Sequence, residues 1–525
     1  MRYLRNVSDS LVRRIYSLLG GLLIVAAALL TYTWNSKTVF FEDGIYFADG
    51  DCYARMTRVQ MVLEHPFSPL RHHDFENYPA GTTPHTTAPL DFLIAGLSLI
   101  LKPFSSQSLD LAGAFISPLL GALLVGFLWW WSRKVFPGSL RWPLLLTVVL
   151  SPILVHGFQL GRPDHQSLIL LLVGIAWAAE IALWRNIPGR WHLVSAISWG
   201  LALWVSLFEP AILLLSTLLL RALVGFPSRR RALLPDRTSL ITFFAILAVW
   251  LLFDGWRGTG LPDAYKATFW RWAQSIGELQ HTSVSQIFTW CGWLLAIVPA
   301  LLVLRSLQLR TLKGGAWAGM ILLLTALTLW HMRWGYFLAL GFAFSLPIAL
   351  AAIPWKPVAW AAFLIALWPI AVEWDENLFP DQEELRTRNE NLADAVLLRS
   401  AIPAMQNPGS ILAPWWLTPA AVYWSRHPGM GGTSHQSLPG IVDTAEFYTT
   451  TDLDKAEKIL KDHNVRYVVA YEPSRVVENS AQILGTPPPQ SSFANELFRT
   501  RPVPPRFLRL VNQNRFFRIY EVTQD

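Results

Sequence analysis

The chain has 525 residues, of which 53% are hydrophobic and only 15% charged, and it carries 26 tryptophans. That composition excludes an ordinary soluble enzyme and predicts an α-helical polytopic membrane protein. The formal charge of +7 does not point to nucleic acid, because the basic residues fall between apolar segments, where anionic lipid headgroups and topology account for them.

In chain order, a helical span needs about 17–25 residues, and some eleven apolar segments meet that need before Glu373. They lie near 15–35, 109–131, 141–157, 166–184, 192–208, 209–225, 238–253, 288–304, 315–330, 333–350 and 356–373. The poor separation at 192–225 widens the expectation to about 11–13 transmembrane helices. The first stretch, Leu18 to Tyr32, follows Arg2, Arg5, Arg13 and Arg14 without a small-residue cleavage pattern, which predicts a retained signal anchor. Trp129-Trp130-Trp131 and Trp355 sit at the ends of apolar runs, where indoles rest at the membrane–water interface. With the N-terminus in the cytoplasm, Arg133-Lys134, Arg185 to Arg190, Arg229-Arg230-Arg231 and Arg305 to Lys313 all fall on the inner face. Asp49 and Asp51, the segment around Asp164, the loop 254–287 and everything after 373 then fall on the outer face. Ala88 to Leu101 is apolar but short and interrupted by Asp91 and Gly96, and reads as a helix lying at the interface.

After Glu373 the composition becomes that of a soluble globule, giving two domains: 1–373, transmembrane, and 374–525, an extracytoplasmic mixed α/β domain. Asp452 to Asn464 carries Leu453, Ala456, Ile459 and Leu460 on one helical face, with Thr451 as the expected N-cap. Val465 to Tyr471 reads as a buried strand, and Arg506 to Val522 as a hairpin turning at Asn512-Gln513-Asn514. Thr486 to Ser492, with three prolines, reads as an irregular loop.

The outer-face segments hold the chemistry. Asp49-Gly50-Asp51 follows the first span, and two carboxylates at a membrane edge suit a hard divalent ion or a reacting proton; a helix cap is the bland alternative. Gly161-Arg162-Pro163-Asp164-His165-Gln166 opens a span on the same face, with Asp164 as either a second ligand or a cap. His72-His73-Asp74 looks like a transition-metal cluster, but adjacent loop residues rarely converge on one ion. The two cysteines, Cys52 and Cys291, fit no metal-ligand spacing, so no disulfide framework and no zinc site are expected. The loop 254–287, with Glu278 and Ser283-Val284-Ser285-Gln286, reads as a mobile substrate lid or as a mere connector.

Taken together and in order, these motifs resemble the catalytic subunit of oligosaccharyltransferase, a GT-C membrane glycosyltransferase of bacterial or archaeal type. The likeness rests on Asp51-Cys52-Tyr53-Ala54-Arg55 running on to Tyr78-Pro79-Ala80-Gly81, then Gly161 to Gln166, Ser283 to Gln286, Arg333 in Met332-Arg333-Trp334-Gly335-Tyr336, and Trp415-Trp416-Leu417. It implies Asp51, Asp164 and Gln166 as ligands of Mn²⁺ or Mg²⁺, Asp51 and Gln286 as catalytic groups, Arg333 on the donor phosphate, and Trp415 and Trp416 at the acceptor. Asp49, His165 and Glu278 are secondary candidates. Three positions depart from the family pattern: Gln166 and Gln286 stand where carboxylates or His are usual, and Leu417 stands where an aspartate reads the glycosylation sequon.

The implied partners are a polyprenyl-(pyro)phosphate glycan donor, membrane lipid, and a protein or other acceptor at the outer face of a bacterial or archaeal cell membrane, without nucleic acid. Because an amide nitrogen is a poor nucleophile, the missing carboxylates open two further readings. One is an enzyme serving a hydroxyl on lipid or polysaccharide, with Asp51 as base; the other is an inactive glycan-lipid binding or scaffold protein. A transporter is disfavoured, since no matching pair of broken spans with a midplane charge appears.

Overall fold

In the computed structural model, residues 2–66, 68–136, 138–225, 234–257, 263–499 and 504–523 are described. The cluster Arg229-Arg230-Arg231 and positions 258–262 of the outer loop lie outside them. The chain divides into two compact units that are not consecutive in sequence: 1–37, 115–252 and 280–380 form the first, and 38–114, 253–279 and 381–525 the second.

Each of the eleven apolar segments coincides with a helix or a broken helix. Among the described residues six are long and apolar enough to cross a membrane: Ile15–Thr38, Ser108–Val135, His165–Trp184, Lys313–Trp330, Met332–Leu350 and Lys356–Leu378. Five shorter apolar helices accompany them, Ala88–Leu101, Gly138–Leu150, Trp191–Val205, Arg237–Phe253 and Val298–Leu309. By length and composition these helices are those of an integral membrane protein.

In the first unit, His165–Trp184 and Met332–Leu350 are each 89% buried, whereas Ile15–Thr38 is only 22% buried. A helix apolar on every side belongs inside a bundle, and the peripheral ones leave residues such as Leu18, Leu22 and Leu23 facing outward. Prolines divide several spans, because a proline has no N–H to give and clashes with the preceding turn. Arg141–Leu150 stops at Ser151, and Pro152–Gly157 restarts the helix. Lys356–Ala366 is likewise followed by Trp368–Leu378, with Pro369 in its first turn. At 284–309 the break is Gly292 at φ +75°, where a side chain would collide with the carbonyl of Ala366. A charge pair among these helices obeys the rule that an intramembrane ion needs a partner: Glu180 lies 3.3 Å from Arg221 and accepts from Ser195 at 2.7 Å.

Among the described residues the second unit holds two sheets. β1 (Phe40–Phe41) and β2 (Gly44–Ile45) form a small antiparallel ribbon. β3 (Ser410–Leu412), β4 (Val465–Ala470), β5 (Leu508–Gln513) and β6 (Arg518–Val522) make a mixed sheet of order β3-β4-β6-β5, with only β3 and β4 parallel. The strand expected at 465–471 is β4. The hairpin expected at 506–522 is β5 and β6, but its turn falls later than Asn512-Gln513-Asn514, because Asn514 Oδ1 accepts from the amides of Phe516 and Phe517 and closes the turn there. The helix Leu453–Asp462 is capped by Asp452 rather than Thr451; the Asp452 carboxylate accepts from the amides of Asp454 and Lys455 at 3.0 and 3.2 Å.

The interfacial segment forms the helix Ala88–Leu101. Its Asp91, which breaks the apolar pattern, is 1% exposed and clasped by Arg55 and Arg58 at 2.6 Å each. Asp254 caps the same helix by accepting from Ala88 N at 2.9 Å, and is itself paired with Arg257. The described part of the long outer loop is packed rather than free: Trp272 is 2% exposed in a cluster with Leu438, Ile441 and Ile483, and its ring meets Trp415 edge-on at 5.5 Å.

Candidate functional site

The candidate residues fall into two groups, one on each unit. In the second unit, the helix Gly50–Glu64 begins at Asp49, whose carboxylate accepts from Cys52 N at 3.0 Å. Asp49 is therefore spent as a cap, as the bland reading of the acidic pair has it. Asp51, in the first turn, stands exposed beyond it. The helix start is pressed against the tryptophan motif: a Cβ placed on Gly50 would lie 2.8 Å from Thr433 Cγ2 and 3.3 Å from the carbonyl oxygen of Trp416.

The segment after His73 is strapped to distant chain by backbone bonds and by the Asn77 side chain. Gly429 N donates to Phe75 O at 2.8 Å, Tyr78 N to Gly429 O at 3.1 Å, and Gly440 N to Asn77 Oδ1 at 3.0 Å. His463 Nδ1 lies 2.7 Å from the carbonyl of Tyr78, with Asp443 on its other nitrogen. This strap buries Glu76 to 4% exposure and leaves its carboxyl group so close to Gly432 that a Cβ there would sit 2.6 Å from Glu76 Cδ. Burial, and after it the nearby Asp51 carboxylate, pushes the Glu76 carboxyl up to about 8. Among the described residues Glu76 Oε2 has no hydrogen-bond partner.

His72-His73-Asp74 does not act as a unit. Along extended chain successive side chains alternate: His73 is buried and stacked 3.9 Å from Phe75, whereas His72 and Asp74 are exposed. Burial, with Arg58, His72 and Arg257 nearby, drives the His73 imidazole down to about 2, so it stays neutral. Trp415 is anchored through Nε1 to Asn479 Oδ1 at 2.9 Å, and Arg475 lies over the Trp416 ring at 5.5 Å. Leu417 follows them, half-buried. Glu278 sits in a short 3-10 turn, Gly277–Leu279.

In the first unit, Asp164 caps the helix His165–Trp184, accepting from His165 N and bonding His165 Nδ1, both at 2.6 Å, with Arg162 3.9 Å away. Gln166, in the first turn, is fully buried, and neither of its amide atoms has a hydrogen-bond partner among the described residues. Arg333 lies in the 3-10 turn Met332–Trp334 that opens the helix Gly335–Leu350, and forms an ion pair with Glu209. Glu209 is 1% exposed and is steadied by Ser206 Oγ at 2.9 Å, and His165 bears on it electrostatically. Asp164 with His165, and Arg333 with Glu209, thus form two polar pairs in the same unit. The serine motif is a helix start: Ser283 Oγ accepts from Gln286 N at 3.2 Å, and Met332 N donates to Gln280 O at 2.9 Å, tying this segment to the Arg333 turn.

Sequence reasoning missed Glu76 and Glu209. The only signal for either was an unpaired acid in a segment flanking an apolar run. Among the described residues no three His, Cys, Asp or Glu side chains gather into a ready-made cation site. The chemistry of the donors nonetheless fits a hard divalent ion, since magnesium is held through one or two carboxylates plus substrate phosphate rather than by an all-protein cage.

No protein-family model matches the chain. It is 23% identical over 185 residues to dolichyl-phosphooligosaccharide-protein glycotransferase 1 of Archaeoglobus fulgidus, an alignment covering 34% of this chain and 30% of that protein. The aligned part therefore spans about a third of the length of that relative. Among solved structures, the Archaeoglobus fulgidus oligosaccharyltransferase tethered to an acceptor peptide containing the NVT sequon superposes with a TM-score of 0.65 at 14% identity, over 90% of this chain and 71% of that one. The same oligosaccharyltransferase in complex with Zn and sulfate gives 0.62 at 14% identity, over 91% and 70%. ArnT from Cupriavidus metallidurans bound to undecaprenyl phosphate gives 0.55 at 12% identity, over 96% of this chain and 97% of that one. The chain has the GT-C fold and resembles the oligosaccharyltransferases.

Proposed function

We propose that the chain is a membrane glycosyltransferase that moves a sugar or oligosaccharide from a polyprenyl-(pyro)phosphate donor to an acceptor at the outer face of the membrane. The observation that carries this reading is the Arg333–Glu209 pair at the mouth of a helix, in the same unit as the Asp164–His165 pair, in a chain with the GT-C fold. A guanidinium held by a buried carboxylate is fixed in direction, and its partly exposed side chain suits the oxygens of a departing phosphate. Mn²⁺ or Mg²⁺ is the proposed cofactor, with Asp51 and Asp164 as carboxylate ligands and the Gln166 carbonyl as a neutral one. When bound, such an ion neutralises charge that develops on the leaving phosphate. Asp51, exposed at a helix start with Asp49 already spent, is the proposed base that takes the acceptor's proton.

The acceptor end favours something other than the usual asparagine sequon. Leu417 has no hydrogen-bonding group to read a sequon hydroxyl, and Gln286 offers no charge to help activate an amide. A hydroxyl needs only one base, so a hydroxyl acceptor on lipid, polysaccharide or protein is the second reading. Trp415 and Trp416 are the proposed acceptor contacts in either case.

The test is transfer by the purified full chain in lipid nanodiscs, given polyprenyl-linked sugar donors, Mn²⁺ or Mg²⁺ and mixed peptide and lipid acceptors, with products identified by mass. Transfer that is lost in Asp51→Ala and Arg333→Ala supports an enzyme. Donor binding without transfer or hydrolysis under any of these conditions overturns it and leaves a glycan-lipid binding protein.

A further inference from the structure

We propose that the end of the first unit opposite Asp164 binds an anionic phospholipid, with Lys134 and Arg141 on its phosphodiester and the helix face of Leu123, Phe127 and Trp130 along its acyl chains. The inference is independent of the glycosyl-transfer reading, because it concerns the other end of the helices that carry Asp164 and Arg333.

Helix directions fix the place. The helices Ser108–Val135 and His165–Trp184 run side by side in the same sense: Ser117 Oγ lies 2.9 Å from Ser167 Oγ toward one end, and Arg185 donates to the Val135 carbonyl at the other. Asp164 caps the start of the second helix, whose 20 residues cover about 30 Å, the thickness of the hydrocarbon core. Val135 and Arg185 therefore mark the opposite interface.

Cations gather there with aromatic rings and without carboxylates. Lys134 Nζ lies 3.8 Å from the centre of the Trp130 ring. The Arg141 guanidinium is 4.7 Å from the Trp129 ring and 5.9 Å from that of Trp142, and these two indoles meet at 5.4 Å. Among the described residues Arg133, Lys134 and Arg141 form no ion pair, whereas other cations of the same unit do, Arg221 with Glu180 and Arg333 with Glu209. Arg141 is half-buried, and its Nε, shielded from solvent, has no hydrogen-bond partner among the described residues. Topology accounts for Lys and Arg that stand free in water at an inner face. It gives no reason to seat a guanidinium against two indoles, half withdrawn from water, where its charge is costly until a counter-charge arrives from outside the chain.

The apolar surroundings select a lipid over a free anion. Leu123, Phe127 and Trp130 recur at helical spacing on one face that ends at Lys134. Leu123 and Trp130 are exposed, and Phe127 meets Trp130 at 5.8 Å. Beside this face the first span leaves Leu19, Leu22 and Leu23 exposed, and its Gly20 and Gly21 admit Trp129 so closely that a Cβ would lie 2.9 and 2.7 Å from the ring. Exposed apolar side chains thus run into a pair of indole-backed cations, the order in which acyl chains run into a charged headgroup. Basic pockets between spans take anionic headgroups for this reason.

The experiment is lipid binding by the purified, delipidated full chain, titrated with phosphatidylglycerol or phosphatidylcholine and read by native mass spectrometry and by the rise in melting temperature. Wild type is compared with Lys134→Gln, Arg141→Gln and the double variant. Arg310→Gln is the control: it removes one exposed charge at the same interface, where the neighbouring Lys313 donates to the Trp184 carbonyl. The expected result is saturable binding of phosphatidylglycerol that phosphatidylcholine does not match, weakened about 10- to 100-fold in the double variant and unchanged in Arg310→Gln. Equal weakening in Arg310→Gln and in the single variants overturns the site and leaves only the diffuse charge of topology. Equal affinity for the two lipids, or no saturable binding by wild type, also overturns it. Saturable displacement by inorganic phosphate overturns the lipid as occupant in favour of a bare anion. If the double variant does not fold, Lys134→Gln, at an exposed position, decides: unchanged affinity for phosphatidylglycerol overturns the proposal, and a weakened one supports it.

Discussion

Arg333 is held by Glu209, a carboxylate buried to 1% exposure in a different helix of the same unit. If Arg333 meets the donor phosphate, Arg333→Ala lowers kcat/KM by about 10²- to 10³-fold, the range for removing one preorganised donor to developing charge. Arg333→Lys recovers little, because an ammonium does not reproduce a planar fork held by a carboxylate. Steady-state transfer with a fixed polyprenyl-linked donor measures both; a change of less than threefold in Arg333→Ala rules the role out.

Asp91 stands between Arg55 and Arg58, all three buried. Asp91→Ala leaves two guanidinium groups without their counter-charge, and the expected destabilisation is about 3–5 kcal/mol. Replacing Asp91, Arg55 and Arg58 together by apolar residues of similar volume costs less than Asp91→Ala alone. Thermal melts of the two variants give the order.

The Glu76 carboxyl makes the metal-free protein sensitive to pH. Its ordinary value of 4.5 rises to about 8 in the folded chain through burial and then Asp51, so the folded state keeps a proton that the unfolded chain has released. Its contribution is whole below 4.5, declines as pH rises, and has gone above about 8. With chelator present, wild type loses melting temperature relative to Glu76→Gln between those two values, and the curves run parallel above them. Curves parallel throughout contradict the shift.

His463 gives a second, independent pH response. Burial works against its charge, but the hydrogen bonds to Asp443 and to the Tyr78 carbonyl outweigh it, and its value lies above the ordinary 6.5. The stabilisation is therefore complete below 6.5 and is lost as pH rises through the folded value. His463→Ala removes this dependence, and proteolysis in the segment 75–82 followed across neutral pH reports it directly.

The helices were legible because their signals are local. Apolar runs, the prolines that divide them and the positions of the tryptophans all lie within a few residues of what they predict, as at Ser151-Pro152. Asp49 was legible as a cap for the same reason. Glu76 was not, because its burial is produced by backbone bonds from Gly429 and Gly440, far along the chain, and nothing near Tyr78-Pro79 announces them. Glu209 reads alone as an acid in a first turn, which helix dipoles favour anyway, and its meaning appears only with Arg333 in place. Asp452 displaced Thr451 as cap by one position, the usual scale of error for helix ends.

The strap between residues 75–78 and 429–463 also fixes an order of events during synthesis. The segment bearing Glu76 emerges early, but its hydrogen-bond partners at Gly429, Gly440 and His463 are made only after the apolar helices have been translated. Until then that segment has nothing to close upon. The nascent protein consequently carries an unfinished acidic loop through the whole of membrane insertion, and the last portion of the chain completes it.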